Sequence, residues 1–184
     1  MAKKIGFIVG SLRAESYNKK IAKKFAELLP EGFEAVFVEI GNLPLYNEDL
    51  DAAGKIPEAW SAFRNTVKAM AGVFFFTPEY NRSMPAAMKN ALDVGSRPYG
   101  EGVWAKKPGL VVSGSVGAIG GFGANHHLRQ SLVCLDVPVL QQPEAYIGGV
   151  QSVIDSQGEF AERTVSLFQT LVDEYIVFFH KLAN

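Results

Sequence analysis

Val73-Phe74-Phe75-Phe76-Thr77 decides the fold. Four apolar residues in a row, with no polar alternation, read as a strand buried on both faces. Strands of that kind lie at the centre of a parallel sheet. Working outward, Ile5-Gly6-Phe7-Ile8-Val9 is a short apolar run ending at Gly10, and residues 34–40 and 109–113 read as further strands. Val137-Pro138-Val139-Leu140 reads as a fifth, placed at an edge by its proline. Between these strands the apolar period changes from 2 to 3.6. Ile21, Ala22, Phe25, Leu28 and Leu29 recur at helical spacing over 17–29, with Lys19, Lys20, Lys23 and Lys24 on the other face. Helices are likewise expected over 57–70, 85–94, 124–135 and 159–182. The last should bury Leu167, Phe168, Leu171, Val172, Tyr175, Phe178 and Phe179. Strand and helix thus alternate five times, which predicts an α/β protein with a parallel sheet covered by helices on both faces.

Composition supports one core of that kind. The 184 residues are 48% hydrophobic and 20% charged. A folded surface of about 9,000 Å² against about 29,000 Å² unfolded lets roughly 70% of the surface be buried. With no linker or repeat in view, residues 1–184 are expected to form a single domain. The 18 Lys and Arg against 19 Asp and Glu give a net charge of −1, which argues against a partner such as nucleic acid that needs its phosphates neutralised. No apolar run approaches the ~20 residues of a membrane span. Met1-Ala2-Lys3-Lys4 has the basic start of a leader, but the apolar stretch 5–10 is too short to continue one. The lone Cys134 cannot form an internal disulfide, and a cytoplasmic location is the expectation.

In an open parallel sheet, ligands bind beyond the carboxyl ends of the strands, where strand order reverses. Three such loops are rich in polar and glycine residues. After the first strand, Gly10-Ser11-Leu12-Arg13-Ala14-Glu15-Ser16-Tyr17-Asn18 combines hydroxyls, an amide and a guanidinium with a helix N-terminus, a phosphate cradle in composition. Ser16 alone would also serve as a helix cap. The loop carries neither the Gly-x-Gly-x-x-Gly nor the Gly-x-x-x-x-Gly-Lys-Ser/Thr pattern. After the third strand, Pro78-Glu79-Tyr80-Asn81-Arg82-Ser83 offers rigid and flat groups suited to a planar ring, and equally the residues of an ordinary turn. After the fourth, the glycine-rich run 114–123 permits close backbone approach to a ligand, or a flexible turn.

Acid–base and metal sets are missing from the pattern. Cys134 falls on an amphipathic helix and reads as core rather than nucleophile. His126 and His127 are adjacent and so point to different sides, and no metal site or nucleophilic triad is expected. A phosphate cradle and a planar slot without such a set suggest that a cofactor carries the chemistry.

Taken together, Gly10-Ser11-Leu12-Arg13-x-x-Ser16-x-Asn18, Leu43-Pro44-Leu45-Tyr46-Asn47, Pro78-Glu79-Tyr80-Asn81-x-Ser83-x-Pro85 with Leu92-Asp93, and Ser115-x-Gly117-x-x-Gly120 resemble the NADPH-dependent FMN reductase family, in particular its quinone and chromate reductase branch. The resemblance runs over nearly the whole chain. It implies a flavodoxin-like three-layer α/β/α sandwich with a five-stranded parallel sheet in the order 2-1-3-4-5. It further implies non-covalent FMN, NADPH or NADH as donor, and ping-pong transfer to quinones, chromate or other metal ions, azo compounds or free flavin. Members are commonly homodimers or homotetramers.

Carried across, Ser11, Arg13, Ser16, Tyr17 and Asn18 should hold the FMN phosphate. Pro78, Glu79, Tyr80 and Asn81 should line the isoalloxazine edge, and Ser115 and Gly117 its far side. No side chain is assigned as catalytic, since the chemistry belongs to the flavin. Arg82, inside the flavin-edge loop, is either an attractor of anionic substrates or a solvated loop residue. The chain departs from the family's pattern at Val116, Gly123 and His126, the last two on a helix resembling a subunit contact. The other functions open to such a protein are a flavodoxin-type electron carrier, disfavoured by the charge of −1, and a flavin-dependent redox sensor.

Overall fold

The computed structural model describes residues 2–51 and 54–183. Met1, where the leader-like start begins, lies outside them, as do residues 52 and 53 of the loop after the second strand. In chain order the elements are β1 (Lys3–Val9), α1 (Tyr17–Leu28), β2 (Phe33–Val38), α2 (Glu58–Lys68), β3 (Gly72–Thr77), α3 (Ala86–Gly95), β4 (Gly109–Gly114), α4 (Phe122–Cys134), β5 (Tyr146–Ile147) and α5 (Glu162–Ala183). A turn of 3-10 helix at Glu48–Leu50 follows β2, and another, Val150–Ser152, follows β5. The strands form one parallel sheet in the order β2-β1-β3-β4-β5, the flavodoxin-like topology.

β3 is buried along its whole length, and alternation sorts its side chains between two cores. Val73 and Phe75 pack with Trp60, Phe63, Met88 and Trp104 on the α2–α3 side. Phe74 and Phe76 pack with Phe7, Phe25, Phe168 and Tyr175 on the α1–α5 side. The second core is built on aromatic contacts: Phe74 lies 5.0 Å from Phe7 and meets Tyr175 edge-on at 4.5 Å. Each ring so buried contributes about 2–3 kcal/mol of transfer free energy. Because β1 sits between β2 and β3, the order reverses there, and the loops after β1, β3 and β4 open to one end of the sheet.

Three expectations need correction. The fifth strand is Tyr146–Ile147, not 137–140. Residues 137–140 do reach β4, but only through a bridge of Val139 to Gly109, with Leu140 N–H donating to the Gly109 carbonyl at 2.9 Å. The edge is interrupted because Pro138 and Pro143 have no N–H to give a continuous ladder. Pairing resumes where Ser113 N–H donates to Ala145 O and Ser115 N–H to Ile147 O. Cys134 is exposed rather than core. The buried stripe of α4 is Ala124, Leu128 and Leu132, and Cys134 lies about 200° round the helix from Leu132. Leu167 is 37% exposed, about 100° from the centre of the α5 stripe formed by Phe168, Leu171, Val172, Tyr175 and Phe179.

Candidate functional site

The loop after β1 is held by its own polar side chains. Ser16 caps α1, its Oγ accepting from Lys19 N–H at 3.2 Å. The first N–H groups of α1 have no intrahelical acceptor, and with the helix dipole they favour an anion. Ser11, Ser16 and Asn18 are all buried. Asn18 Nδ2–H donates to the Gly114 carbonyl at 3.0 Å, tying α1 to the end of β4. Asn18 Oδ1, also buried, has no partner among the described residues. Gly114 makes room for it: a Cβ there would stand 2.8 Å from Ile21 Cδ1 and 3.1 Å from Asn18 Oδ1.

The loop after β3 is a tight hairpin. Tyr80 and Ser83 exchange two backbone hydrogen bonds, and Asn81 and Arg82 between them have φ of 51° and 65°. Asn tolerates the left-handed region and Arg does so at some cost. Glu79 anchors the hairpin to α4, its Oε2 accepting from Ala124 N–H and its Oε1 from Arg82 Nη1, both at 3.1 Å. After β4, Gly120 and Gly121 are both left-handed, with φ of 61° and 77°. A Cβ on Gly120 would stand 2.6 Å from the Tyr146 carbonyl carbon, so glycine is what lets this loop lie against β5.

These loops enclose a cleft of about 150 Å³ lined by Ser11, Arg13, Ser16, Tyr17, Asn18, Pro78, Glu79, Tyr80, Gly114, Ser115, Val116 and Val150. Most of the residues named for the cofactor therefore meet in one place. Asn81, Gly117 and Arg82 lie outside that lining. Asn81 and Arg82 form the tip of the hairpin, and Gly117 N–H donates to Ser115 Oγ at 3.1 Å, shaping the wall from behind. Glu79 is in the wall, but its carboxylate is spent on α4 and Arg82.

Gly114 and Val116, read above as part of the glycine-rich run, and Val150, not read as part of any site, also line the cleft. The first two flank Ser115 in sequence. Val150 enters only because its N–H donates to Ser115 O at 3.1 Å, a long-range pairing with no local signal. Asn90 is another residue missed. Its side-chain amide donates to the carbonyls of Leu43 and Pro44 and accepts from Tyr46 N–H, fixing the 43–46 segment beside the core. Phe122, His126 and Tyr146 form an aromatic cluster joining α4 to β5, in which the His126 and Tyr146 rings stack. Tyr146 donates its single O–H to Glu144 Oε1 at 2.8 Å. Burial, then that carboxylate, pushes its pKa up to about 12. His126 Nε2, also 2.8 Å from the hydroxyl, must then be the donor in that contact. His127 turns the other way, to Ser83 Oγ.

The donor set fits FMN. Hydroxyl, guanidinium and helix N–H donors suit its phosphate, and the unpartnered Asn18 oxygen, an acceptor, suits a donor such as a ribityl hydroxyl.

Comparison with known proteins agrees. Residues 3–152 match the family described as NADPH-dependent FMN reductase. A quinone reductase of Pseudomonas putida is 54% identical over 171 residues, covering 93% of this chain and 91% of that protein. A 2-hydroxy-1,4-benzoquinone reductase of a Burkholderia species is 47% identical over 95% of each chain. Among solved structures, the flavoenzyme NAD(P)H:(acceptor) oxidoreductase FerB from Paracoccus denitrificans superimposes with a TM-score of 0.90 at 35% identity, over 98% of both chains.

Proposed function

The chain belongs to the NADPH-dependent FMN reductase family, and on that premise we propose that it reduces quinones by two electrons at the expense of NAD(P)H. It is an NAD(P)H-dependent oxidoreductase with FMN as its cofactor. The observation that carries the reading is the cleft at the reversal of strand order. Three buried polar side chains line it, Ser11, Ser16 and Asn18, and the last keeps an unpartnered amide oxygen beside Gly114. FMN held there would supply the redox chemistry, two-electron exchange between NAD(P)H and an acceptor.

The chain's own residues bind and orient. Ser11, Ser16, Arg13, Tyr17 and the start of α1 grip the phosphate, and Asn18 positions the sugar chain. Pro78, Tyr80 and the Glu79 backbone flank the ring, with Asn81 at the hairpin tip and Ser115 and Gly117 opposite. No side chain is needed as a general acid or base, because holding donor, ring and acceptor in line is the protein's contribution. Chromate, other metal ions, azo compounds and free flavin are further acceptors for so open a site, in ping-pong alternation with NAD(P)H. Among the described residues no helix is long and apolar enough to cross a membrane. A cytoplasmic location and a single domain over residues 1–184 are parts of the same proposal. Tyr80 and Val116 in the cleft wall, and Ile119 and Phe122 further along the chain toward α4, expose apolar surface, which suits a second copy of the chain covering it in a homodimer or homotetramer.

The test is anaerobic stopped-flow. Yellow, FMN-loaded protein mixed with NADPH or NADH should bleach near about 450 nm. It should recover its colour on adding benzoquinone. Failure to bleach with either nucleotide while dithionite still bleaches it would make the protein an electron carrier or sensor. Failure to take up FMN would overturn the reading.

A further inference from the structure

A second groove, of about 460 Å³, adjoins the flavin cleft and shares Ser11 and Arg13 with it. It lies between α1 and the edge strand β2, where Lys19, Lys23 and Phe37 face it with Arg13. Its volume is in the range of small-molecule pockets, about 300–1,000 Å³. Lys19 and Lys23 are four residues apart, on one face of α1. The other two lysines of that helix are engaged, Lys20 with Glu15 and Lys24 with Glu27 and Glu159. Lys19, Lys23 and Arg13 have no carboxylate within ion-pair distance among the described residues. Glu39, the one carboxylate in the lining, accepts from Gly41 N–H at 2.6 Å. Arg13 is assigned above to the FMN phosphate, so in the loaded protein Lys19 and Lys23 are the two cations facing one engaged carboxylate, and the groove stays positive.

Phe37 adds the second half of the chemistry. It is 46% exposed on an edge strand, an uncommon place for a large apolar ring. Its inner side is backed by Phe7 at 5.4 Å. A supported aromatic face beside paired ammonium groups suits a purine ring carrying a phosphate.

We propose that this groove takes the adenosine 2′-phosphate end of NADPH and so gives the enzyme a preference for NADPH over NADH. The proposal rests on the quinone-reductase reading above. The two clefts meet at Ser11 and Arg13, the phosphate end of the flavin site, so one extended dinucleotide can run from this groove past that end with its nicotinamide toward the ring. The adenine stacks on Phe37, and Lys19 and Lys23 bind the 2′-phosphate. NADH lacks only that phosphate, so the lysines are where the two donors are told apart.

The probes are adenosine 2′,5′-bisphosphate and adenosine 5′-monophosphate, titrated calorimetrically into the FMN-loaded protein. The bisphosphate should bind at least about tenfold more tightly than the monophosphate, the advantage shrinking with added salt. The double variant Lys19→Gln/Lys23→Gln should lose about tenfold in bisphosphate affinity and raise the KM for NADPH by a similar factor, with less than about a twofold change for NADH. Phe37→Ser should weaken both nucleotides alike. Lys20→Gln, which alters an engaged lysine of the same helix, should leave the NADPH-to-NADH ratio in place. FMN uptake, followed by quenching of flavin fluorescence, is measured first on each protein. Loss of FMN uptake by the parent would strike the functional reading itself. Normal uptake with equal binding of the two probes, or an unmoved ratio in the double variant, overturns only the groove assignment.

Discussion

Asn18→Ala separates a cofactor ligand from a structural residue, because two opposed effects meet at one side chain. Without FMN, the substitution leaves the Gly114 carbonyl without its 3.0 Å donor, at a cost of about 1–3 kcal/mol. It also removes a buried oxygen that has no partner, returning a similar amount. The two nearly cancel, so FMN-free stability should change by about 1 kcal/mol or less. For a chain of this length that is a Tm shift of no more than about 4 °C. With FMN bound, the oxygen gains a donor, so its removal no longer brings relief and the variant loses that hydrogen bond as well. A net hydrogen bond of about 1–1.5 kcal/mol corresponds to a rise in the FMN dissociation constant of about tenfold. Calorimetric melting of the FMN-free protein and fluorescence titration with FMN read the two quantities separately. A Tm drop of more than about 5 °C with unchanged FMN affinity would refute the reasoning, leaving Asn18 as a strut between α1 and β4.

Two other perturbations follow from the same geometry. Arg64 grips Asp51 through two bonds of 2.7 and 2.9 Å while its Nε donates to Val94 O, and the guanidinium holds the Asp51 carboxyl below its ordinary value. A carboxyl depressed in the folded state adds stability that is complete above the ordinary carboxylate value and is lost as the pH falls through the lower folded one. Urea midpoints should therefore hold steady down to about pH 5 and decline below about pH 4. Asp51→Asn should cost about 3 kcal/mol at neutral pH and make the acid decline shallower; an identical acid limb in the variant would count against the pair. Arg82, 75% exposed and 3.1 Å from Glu79, retains only part of its field. Arg82→Ala should raise the KM for an anionic acceptor such as chromate about twofold at low salt, an effect that fades at high salt. Kinetics unchanged at every ionic strength would make it a plain loop residue.

How much of this was readable beforehand depended on the range of the signal. The β3 run 73–77 and the lysine-faced α1 announce themselves locally, because burial on two faces and on one face leave different periods in the sequence. That Ser11, Ser16 and Asn18 gather at one cleft was likewise legible, since a helix N-terminus concentrates them within one loop. The edge strand was not. Tyr146 and Ile147 are too short a run to carry a period, and they pair with Ser113 and Gly114 because the chain returns to β4 after Pro143. Cys134 was misread because a helix with apolar residues on several sides does not declare which stripe is inward until the sheet is in place.

Residue order by itself thus determined the alternation of strand and helix, the depth of β3 in the sheet and the polar makeup of three loops, since each is set by neighbours a few positions apart. Only the tertiary structure decided that Glu79 caps α4, that Asn90 pins the 43–46 segment, that Val150 walls the cleft, and that Phe37 lies beside Lys19 and Lys23. Those contacts join residues distant in the chain, and their partners are chosen by sheet order and helix packing.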